Sequence, residues 1–442
     1  MIRALLLTIL VLGPTAGAQV ALPRGPLRGL PGGLPGSLPG SLPGVGLPLG
    51  AQQTLDGLTD DVDRLEGARK LGVHLLLRRH SDVVEADPNG NPIVRGELLA
   101  FSPSDAALAR AVSAGFSILR DQALAPLGIR ITVLEAPRAM ATGRALSLLR
   151  RLDPAGAYDF NNIYMQGGAM QGSTTGDAAG VPAGAAAGAP AVPLGLIDGG
   201  VGTTQAVFQG AVIHQHGCAG APLPSAHGTE VASLMVGRSA RFGGAAPGAT
   251  LYAVDVYCGK PTGGAVDAIA EALAWLVAQH VPVINVSLVG PPNMLLQQVV
   301  ARVVAQGFLI VAAVGNDGPA APPLYPAAYP GVVGVTAVDT HRRVIFEAER
   351  GPQVMFAAPG ADIPAATVGD GFAAVRGTSF AAPLVSGLLA ARLQPDPSPD
   401  PTTAARAAVA ALAQAAIHLG SSGRNTVFGY GLVGADLPAP RP

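Results

Sequence analysis

The 442-residue sequence predicts an α/β protein with a mainly parallel sheet flanked by helices, preceded by a small α+β domain of ferredoxin-like type. From residue 191 onward, continuous apolar runs rich in β-branched residues alternate with helical patterns. Continuous runs are typical of parallel strands that are covered on both faces. Residues 55–165 instead follow a strand–helix–strand–strand–helix order that ends in an extended segment, as in a split βαβ unit. Residues 166–190 are mostly glycine, alanine and other small residues, so we expect an exposed connector between the two domains.

Residues 1–18 have the pattern of a secretory signal peptide. Arg3 gives a positive start, ALLLTILVLG is an apolar core, and Ala16-Gly17-Ala18 is a cleavage motif, so cleavage is predicted after Ala18. A buried N-terminal helix is the alternative. We therefore expect a secreted or periplasmic protein, and no later apolar run is long enough to span a bilayer.

Residues 19–54 form a Pro/Gly-rich stretch in which PGGLPGSLPGSLPG repeats every four residues. Collagen requires glycine at every third position, so this repeat predicts a semi-extended linker. The 28 basic and 29 acidic residues nearly balance, and this balance argues against a nucleic-acid partner. We expect a monomer.

The small domain has recognisable helix and strand signals along its length. VRGELLAF is the first predicted strand. Ser102-Pro103-Ser104-Asp105 starts a helix, since it combines a cap residue, a proline in the first turn and an early acid, and this helix ends at Gly115. FSILRD and IRITVLEA are predicted strands, ATGRALSLLRRL is the second helix, and DFNNIY is extended.

The large domain has predicted buried strands at VPLGLID, LYAVDVY, PVINVSL and LIVAAVGN, with helices at AVDAIAEALAWLVAQ and NMLLQQVVARVVAQG. In open α/β sheets the chemistry lies beyond the carboxyl ends of the strands. Asp198 and Asn316 are each expected to end one of these strands. His227 opens the pattern HGTEVASLMVG, and Ser379 lies within GTSFAAP, just before the helical pattern LVSGLLAARL.

Each of these four residues alone has an ordinary structural explanation. An acid before glycines is common at strand ends, and a histidine can be a buried structural residue. Asn-Asp-Gly can form a turn, and a serine can cap a helix. Ser379 nevertheless lies in a first helical turn, where free N–H groups and the positive helix end favour a developing negative charge. Gly377 allows the chain to turn tightly just before it.

Together the four segments resemble the subtilases, the subtilisin-like peptidase S8 family of serine proteases. Asp…His…Ser is the chain order of subtilisin, and the resemblance covers the predicted catalytic domain, residues 191–437, through FGYGLVGAD. It implies that Ser379 is the nucleophile, that His227 is its general base and that Asp198 orients the imidazole. It also implies that Asn316 donates its side-chain N–H to the oxyanion.

The resemblance also implies a substrate-binding strand edge. An extended peptide would bind along Ser287-Leu288-Val289-Gly290, with a second segment near Gly259–Gly264. The simple end of a buried strand is the alternative for the first of these segments.

Three positions depart from the family pattern. The usual Asp-Ser/Thr-Gly becomes Asp198-Gly199-Gly200, and HGTEVAS has Glu230 where a second histidine is often seen. Val289 stands where many relatives have glycine, and its branched side chain would narrow the neighbouring subsite. The specificity of the family is therefore not transferred to this chain.

The position and element order of the small domain resemble those of subtilase propeptides. We therefore predict an exported serine endopeptidase that is made as a self-processed zymogen and is cleaved within residues 166–190. Its partners would be protein or peptide substrates and its own propeptide. A non-catalytic binding or surface protein of the same fold is the alternative. Many subtilases bind calcium, but the sequence shows no acidic cluster that we would assign as a ligand set, and no cofactor is predicted to be required.

Cys218 and Cys258 are the two cysteines, and in an exported protein an even pair is most simply a disulfide. Two separate buried thiols are the alternative. His214-Gln215-His216 lies just before Cys218 and resembles part of a metal site. A structural zinc requires four ligands, and no fourth ligand is evident, so we expect a surface loop there and no metal.

Overall fold

The computed structural model describes residues 71–166, 192–239, 243–393, 400–435 and 437. The predicted signal peptide, the Pro/Gly-rich linker and the connector beyond Gln166 lie outside these ranges, and their assignments stay predictions. The mixed charges of residues 55–69 predict a short helix, and this segment also lies outside the described residues. Among the described residues, no helix combines the length and the apolarity needed to cross a membrane.

The first part of the described chain forms one antiparallel sheet with helices. Its elements are a helix over 71–79 (α1), Val84–Ala86 (β1), Pro92–Phe101 (β2), Asp105–Ser113 (α2), Ser117–Leu124 (β3), Ile129–Glu135 (β4), Thr142–Leu152 (α3), Ala157–Asn162 (β5) and the short strand Met165–Gln166 (β6). β2 pairs antiparallel with β1, β4 and β5, and β4 pairs with β3. The resulting order β5–β2–β4–β3 is the predicted ferredoxin-like arrangement.

The local signals explain where α2 begins. Ser104 is the N-cap of α2, and its hydroxyl accepts a hydrogen bond of 3.1 Å from the N–H of Ala107. The apolar face of α2 then buries Leu108 with Leu98 and Leu134 of the sheet. α1 and β1 were not predicted from the sequence.

The second part forms a seven-stranded parallel sheet with helices on both faces. The strands of this part are Leu194–Asp198 (β7), Ile213–Gly217 (β8), Leu251–Asp255 (β9), Val283–Val286 (β10), Leu288–Val289 (β11), Leu309–Ala313 (β12), Val333–Val338 (β13), Val354–Pro359 (β14), Ala361–Ala366 (β15) and Phe372–Arg376 (β16). Three of them, β11, β15 and β16, lie outside the large sheet. Its longer helices are Ala226–Val236 (α4), Val266–Ala278 (α5), Met294–Ala305 (α6), Thr378–Ala390 (α7) and Pro401–Ala415 (α8).

The order of the large sheet is β14–β13–β12–β10–β7–β9–β8, and every neighbouring pair is parallel. Side chains of β7 alternate between two buried clusters: Leu194 and Leu196 pack with α4 and α7, whereas Ile197 packs with α5 and α6. Both faces are therefore covered, and this is why the strands have continuous apolar sequences. The predicted fold class is confirmed.

Two strand ends differ from the sequence-based expectation. PVINVSL is not one strand, because β10 ends at Val286 and β11 begins at Leu288 in a separate two-stranded sheet. Asn316 does not end its strand either, since β12 ends at Ala313 and Asn316 lies in the following loop.

The His214-Gln215-His216 segment is also different from its prediction. It lies in the edge strand β8 and not in a surface loop. An edge strand buries less of its surface than a central one, so it can carry polar side chains. The polar sequence of this strand therefore did not indicate a strand. The ring of His216 stacks on Trp275, with 4.5 Å between the ring centroids.

The sheet of the small domain packs directly against the helices of the large domain. Leu99, Ile131 and Val133 of the small sheet belong to one buried cluster together with Leu273 of α5 and Val299 of α6. This apolar contact brings the carboxyl end of the small domain to the edge of the large one.

Polar contacts border the same interface. A carboxylate oxygen of Asp159 accepts a hydrogen bond of 2.7 Å from the N–H of Met294, at the beginning of α6. Arg120 donates hydrogen bonds to Glu97 of its own sheet and, at 2.7 Å, to Asp267 at the beginning of α5. The small domain therefore contacts the N-terminal ends of α5 and α6. Asp159 accepts a hydrogen bond from the backbone at the beginning of α6, and Arg120 pairs with an acid in the first turn of α5.

Candidate active site

Asp198 and His227 form a buried pair at the carboxyl end of the large sheet. Asp198 is the last residue of β7, and His227 is the second residue of α4. The Nδ1 atom of His227 lies 2.8 Å from Oδ2 of Asp198, and the two side chains are 5% and 0% exposed. Oδ1 of Asp198 accepts a hydrogen bond of 2.7 Å from the N–H of Gly199. The carboxylate is thus fixed and holds one imidazole nitrogen.

Close backbone packing brings the beginning of α4 to the end of β7. Ser225 caps the helix by accepting a hydrogen bond of 3.0 Å from the N–H of Gly228. A Cβ at Gly228 would lie 2.3 Å from the carbonyl oxygen of Gly199, and one at Gly200 would lie 2.4 Å from that of Leu223. The glycines of the HGT and Asp-Gly-Gly segments therefore allow the helix to reach the aspartate.

The other nitrogen of His227 is free to act on a substrate or nucleophile. Nε2 is buried and has no hydrogen-bond partner among the described residues. Burial lowers the pKa of His227, but the charge and hydrogen bond of Asp198 and the charge of Glu230 raise it, and the net pKa lies above the ordinary value. The imidazole is therefore a base whose protonated form is stabilised by nearby negative charge.

Ser379 lies in the first turn of α7, as the sequence predicts. It is fully buried, and the ring of the next residue, Phe380, lies 5.2 Å from the imidazole of His227 between centroids. The hydroxyl of Ser379 donates a hydrogen bond of 3.4 Å to the carbonyl oxygen of Ser287. This distance is long for an O–H···O bond, so the hydroxyl is weakly held. Gly377, with a φ of 145°, adopts the conformation that turns the chain into the helix.

Asn316 is tied to the beginning of the same helix. Its Oδ1 accepts a hydrogen bond of 3.0 Å from the N–H of Thr378. Its Nδ2 is buried and has no partner among the described residues. The amide is therefore oriented with its donor group unoccupied, next to the first turn of α7, where the backbone N–H of Ser379 is the second candidate donor. Such a pair of donors can bind an oxyanion.

The predicted substrate edge is already covered by the chain itself. β6 pairs antiparallel with β11, with Met165 opposite Val289 and Gln166 opposite Leu288. On its other side the same segment contacts the second predicted edge, because the N–H of Tyr164 donates a hydrogen bond of 2.8 Å to the carbonyl of Gly264. Residues 163–166 therefore lie between the two segments that the sequence assigns to substrate.

The sequence and the fold of this chain are similar to those of known proteins. Residues 193–431 match the Subtilase family, and this match covers more than half of the chain. The chain belongs to the subtilase family of serine proteases.

Two curated subtilases illustrate the level of similarity. Minor extracellular protease Epr of Bacillus subtilis (strain 168) is 32% identical over 210 residues, which are 47% of this chain and 32% of Epr. Subtilisin Savinase of Lederbergia lenta is 37% identical over 175 residues, which are 39% of this chain and 64% of that protein. The match thus spans about a third of Epr and less than two thirds of Savinase.

A solved subtilase structure shares the fold over a longer stretch. Fervidolysin from Fervidobacterium pennivorans, described as a keratinolytic enzyme related to subtilisin, matches with a TM-score of 0.64 and 19% identity. The match covers 80% of this chain and 62% of fervidolysin. Because this share exceeds that of the family match, the common fold includes residues outside 193–431.

The disulfide predicted for this subtilase is present between Cys218 and Cys258. Asp255, at the end of β9, organises the loops around it. Its carboxylate accepts hydrogen bonds of 2.9 Å from the N–H groups of Leu223, Tyr257 and Cys258. Asp255 was not predicted from the sequence as a site residue, although LYAVD ends in an acid just as LGLID does.

Gln166 is the other important residue that the sequence analysis missed. Its side-chain amide donates a hydrogen bond of 3.0 Å to Oδ1 of Asp198. Gln166 follows the small domain and precedes a connector of low complexity, so no local pattern points to this contact. Gln166, at the carboxyl end of the small domain, therefore contacts the pair of Asp198 and His227 through Asp198.

Proposed function

We propose that this chain is an exported serine endopeptidase that hydrolyses peptide bonds through Asp198, His227 and Ser379. The observation that carries the proposal is the buried 2.8 Å contact between Asp198 and His227, which leaves Nε2 of the imidazole free. This pair lies next to the helix whose first turn holds Ser379. An oriented imidazole and a weakly held hydroxyl are what an activated serine nucleophile requires.

The first half of the reaction forms an acyl-enzyme. Nε2 of His227 takes the proton of the Ser379 hydroxyl while the oxygen attacks the substrate carbonyl carbon. The tetrahedral oxyanion receives hydrogen bonds from Nδ2 of Asn316 and from the backbone N–H of Ser379. The imidazolium then gives its proton to the leaving amine, and the C–N bond breaks.

The second half regenerates the enzyme. Water enters where the amine has left, and His227 takes one of its protons as the oxygen attacks the ester carbonyl. The second tetrahedral intermediate collapses, the proton returns to Ser379 and a carboxylic acid is released. Asp198 remains ionised throughout and stabilises the imidazolium. These steps use groups of a single chain and require no cofactor.

We further propose that the chain is a zymogen whose small domain acts as propeptide. Residues 163–166 cover both substrate-binding segments, so a protein substrate cannot bind there while they remain. Ser287 precedes Leu288 on this edge, and its carbonyl oxygen accepts a hydrogen bond from the hydroxyl of Ser379. This register supports self-cleavage at the first peptide bonds after Gln166. The interface through Asp159 and Arg120 would keep the cleaved domain bound.

Export is the remaining part of the proposal. The pattern of residues 1–18 supports it, as does the disulfide, since disulfides persist in oxidising compartments. One relative is named as an extracellular protease. A secreted or periplasmic location is consistent with these three observations.

The experiment compares wild type with Ser379→Ala, expressed where other proteases are absent. Wild type should be shorter than its precursor and react with a serine-directed phosphonate, whereas Ser379→Ala should stay at full length and unlabelled. Ser386→Ala is the matched control, because Ser386 lies on the same helix with its hydroxyl bonded to Asn285, and it should behave as wild type. A folded wild type that is neither processed nor labelled would indicate a non-catalytic protein of this fold.

A further inference from the structure

Glu230 is a buried acid close to the proposed catalytic pair. It follows His227 by three residues on α4, which places it one helical turn away on the same side of the helix. The residue is 1% exposed, and its Oε2 atom is buried without a hydrogen-bond partner among the described residues. A buried carboxyl that only anchors the structure is normally hydrogen-bonded, so this geometry requires another explanation.

The backbone around Glu230 is held firmly. The hydroxyl of Ser233 donates a hydrogen bond of 2.7 Å to the carbonyl oxygen of Glu230. The same hydroxyl accepts a hydrogen bond of 3.0 Å from the N–H of Ala366 in β15. The helical turn is therefore fixed against the neighbouring hairpin, and the carboxyl has a defined position relative to the imidazole.

The charged groups around Glu230 are few. Along its own helix the nearest ionisable side chain is His227. Of the elements that pack on α4, β7 carries Asp198, β15 carries the exposed Asp362, and α7 carries no ionisable side chain. Among the residues that the structure describes, His227 and Asp198 are the two groups whose charges act on Glu230. The three side chains therefore form one electrostatic unit.

We propose that Glu230 is a positioning residue of the triad, whose carboxylate acts together with Asp198 to stabilise the imidazolium of His227. This inference rests on the proposed function, because the imidazolium forms when His227 takes the proton of Ser379. Two negative groups then hold the positive charge in a buried site, where electrostatic interactions are stronger than in water.

The direction of the pH effects supports this role. Burial, with a further contribution from the charge of Asp198, raises the pKa of Glu230, while His227 lowers it. The charge of Glu230 in turn raises the pKa of His227. The carboxylate therefore helps His227 only above the raised pKa of Glu230, and the help is lost as the pH falls through that value. The three groups titrate as a coupled set.

A direct titration of His227 tests the coupling without using activity. The histidine resonances of full-length Ser379→Ala would be followed by NMR against pH, with and without Glu230→Gln. We expect Glu230→Gln to lower the pKa of His227 by roughly half a unit to one unit. Glu271→Gln, on the exposed side of α5, is the matched control and should leave His227 unchanged. An unchanged pKa in Glu230→Gln overturns the inference.

Processed enzyme gives the second readout. Glu230→Gln should move the acid limb of kcat/KM to lower pH and reduce kcat about three- to tenfold with KM unchanged, since the lost interaction belongs to the transition state. Glu230→Asp, which keeps the charge, should recover most of the wild-type profile and also serves if the glutamine variant does not fold. A loss of kcat that glutamine and aspartate share, without movement of the acid limb, would indicate a structural role and overturn the proposal.

The pH dependence of the free energy of unfolding further distinguishes a positioning role of Glu230 from a purely structural one. A carboxyl with a raised pKa destabilises the fold as the pH rises through that pKa, because its ionised form is buried. Glu230→Gln should therefore lose less stability than wild type as the pH rises from the ordinary pKa of a glutamate through the raised pKa of Glu230, and a loss equal to that of wild type would contradict the proposal. If wild type is not labelled by the phosphonate, the proposed function fails, while the titration still decides whether Glu230 acts on His227.

Discussion

The side-chain amide of Gln166 donates a hydrogen bond of 3.0 Å to the carboxylate of Asp198. The last described residue before the connector therefore contacts the acid that orients His227. The same residue is paired with Leu288 on the proposed substrate-binding edge. In the proposed zymogen, Gln166 thus occupies the cleft as a substrate residue would, close to the bond that we propose is cleaved.

This contact predicts where the chain is cut. The new N-terminus of the processed protein should lie at residues 167–170, since the register brings the segment ending at Gln166 to the nucleophile. N-terminal sequencing or the intact mass of the processed protein measures it. A first cleavage beyond residue 180 would contradict the assigned register.

Gln166→Glu gives the corresponding kinetic control. It places a second carboxylate next to Asp198, and like charges in such a site repel. Self-processing should slow by about tenfold, which corresponds to about 1.4 kcal/mol. Gln166→Met, which keeps the size without the charge, should slow it much less. Equal rates for the two variants would show that the contact with Asp198 is not formed during cleavage.

Asn316→Ala tests the oxyanion site. Its unoccupied Nδ2 is held in place by the bond from the N–H of Thr378 to Oδ1. Removing it should reduce kcat by about 10²–10³, the figure established for the equivalent loss in subtilisin, with little change in KM. Steady-state kinetics on a peptide substrate measures both constants.

Thr378→Val is the control for that experiment. It removes only the hydroxyl that accepts a 3.3 Å hydrogen bond from the N–H of Gly315, and it keeps the amide of Asn316. We expect a loss of kcat of less than about tenfold, since neutral hydrogen bonds contribute about 1 kcal/mol. If Asn316→Ala retained kcat within threefold of wild type, the assigned donor would be wrong.

The acid limb of the pH profile of kcat/KM should lie above pH 6.5, because the pKa of His227 is raised above its ordinary value. The imidazole must be deprotonated to act as a base, so activity is lost below that pKa. In Asp198→Asn the raising charge is absent and burial dominates, so the limb should move to lower pH. The maximal kcat should also fall by about 10⁴, as for loss of the corresponding acid in another serine protease. A pH profile of kcat/KM measures the limb.

Asp362→Asn is a suitable comparison, because this acid is exposed on β15 and lies outside the catalytic pair. Its profile should coincide with that of wild type. If the limb stayed in place in Asp198→Asn, the titrating group would be one other than His227.

The Cys218–Cys258 disulfide should contribute about 3–4 kcal/mol to the free energy of unfolding, because it closes a loop with a sequence separation of 40 residues. Denaturant unfolding of Ser379→Ala, with and without the double change Cys218→Ser and Cys258→Ser, measures the difference in a protein that cannot digest itself. A reductant should destabilise the parent and leave the double variant unaffected. Equal stabilities of parent and double variant in the absence of reductant would refute this contribution.

Much of the fold could be predicted because local sequence carries it. The strands around Leu196, Ile284 and Ile310 are buried on both faces, so their apolar runs are continuous and short. The positions of Asp198, His227 and Ser379 follow from motifs at strand and helix ends. Strand β15 escaped prediction in part because it contains Pro364, and proline usually argues against a strand.

The contacts that complete the site could not be predicted in this way. The bond between Ser379 and Ser287 joins residues 92 positions apart, and that between Gln166 and Asp198 joins residues 32 apart. Contacts between residues so far apart in the sequence depend on the register of packed elements and not on any local pattern. The same holds for Glu230, whose burial without a partner is visible only in three dimensions.

The central claim is that Ser379 is a nucleophile activated by His227. Treatment of processed wild-type protein with a serine-directed phosphonate, followed by mass mapping of its peptides, tests this claim most directly. We expect one phosphonyl group per chain, on the peptide that contains Ser379, and no adduct in folded His227→Ala. An adduct on another residue, or labelling of Ser379 that persists at the same rate without His227, would contradict it.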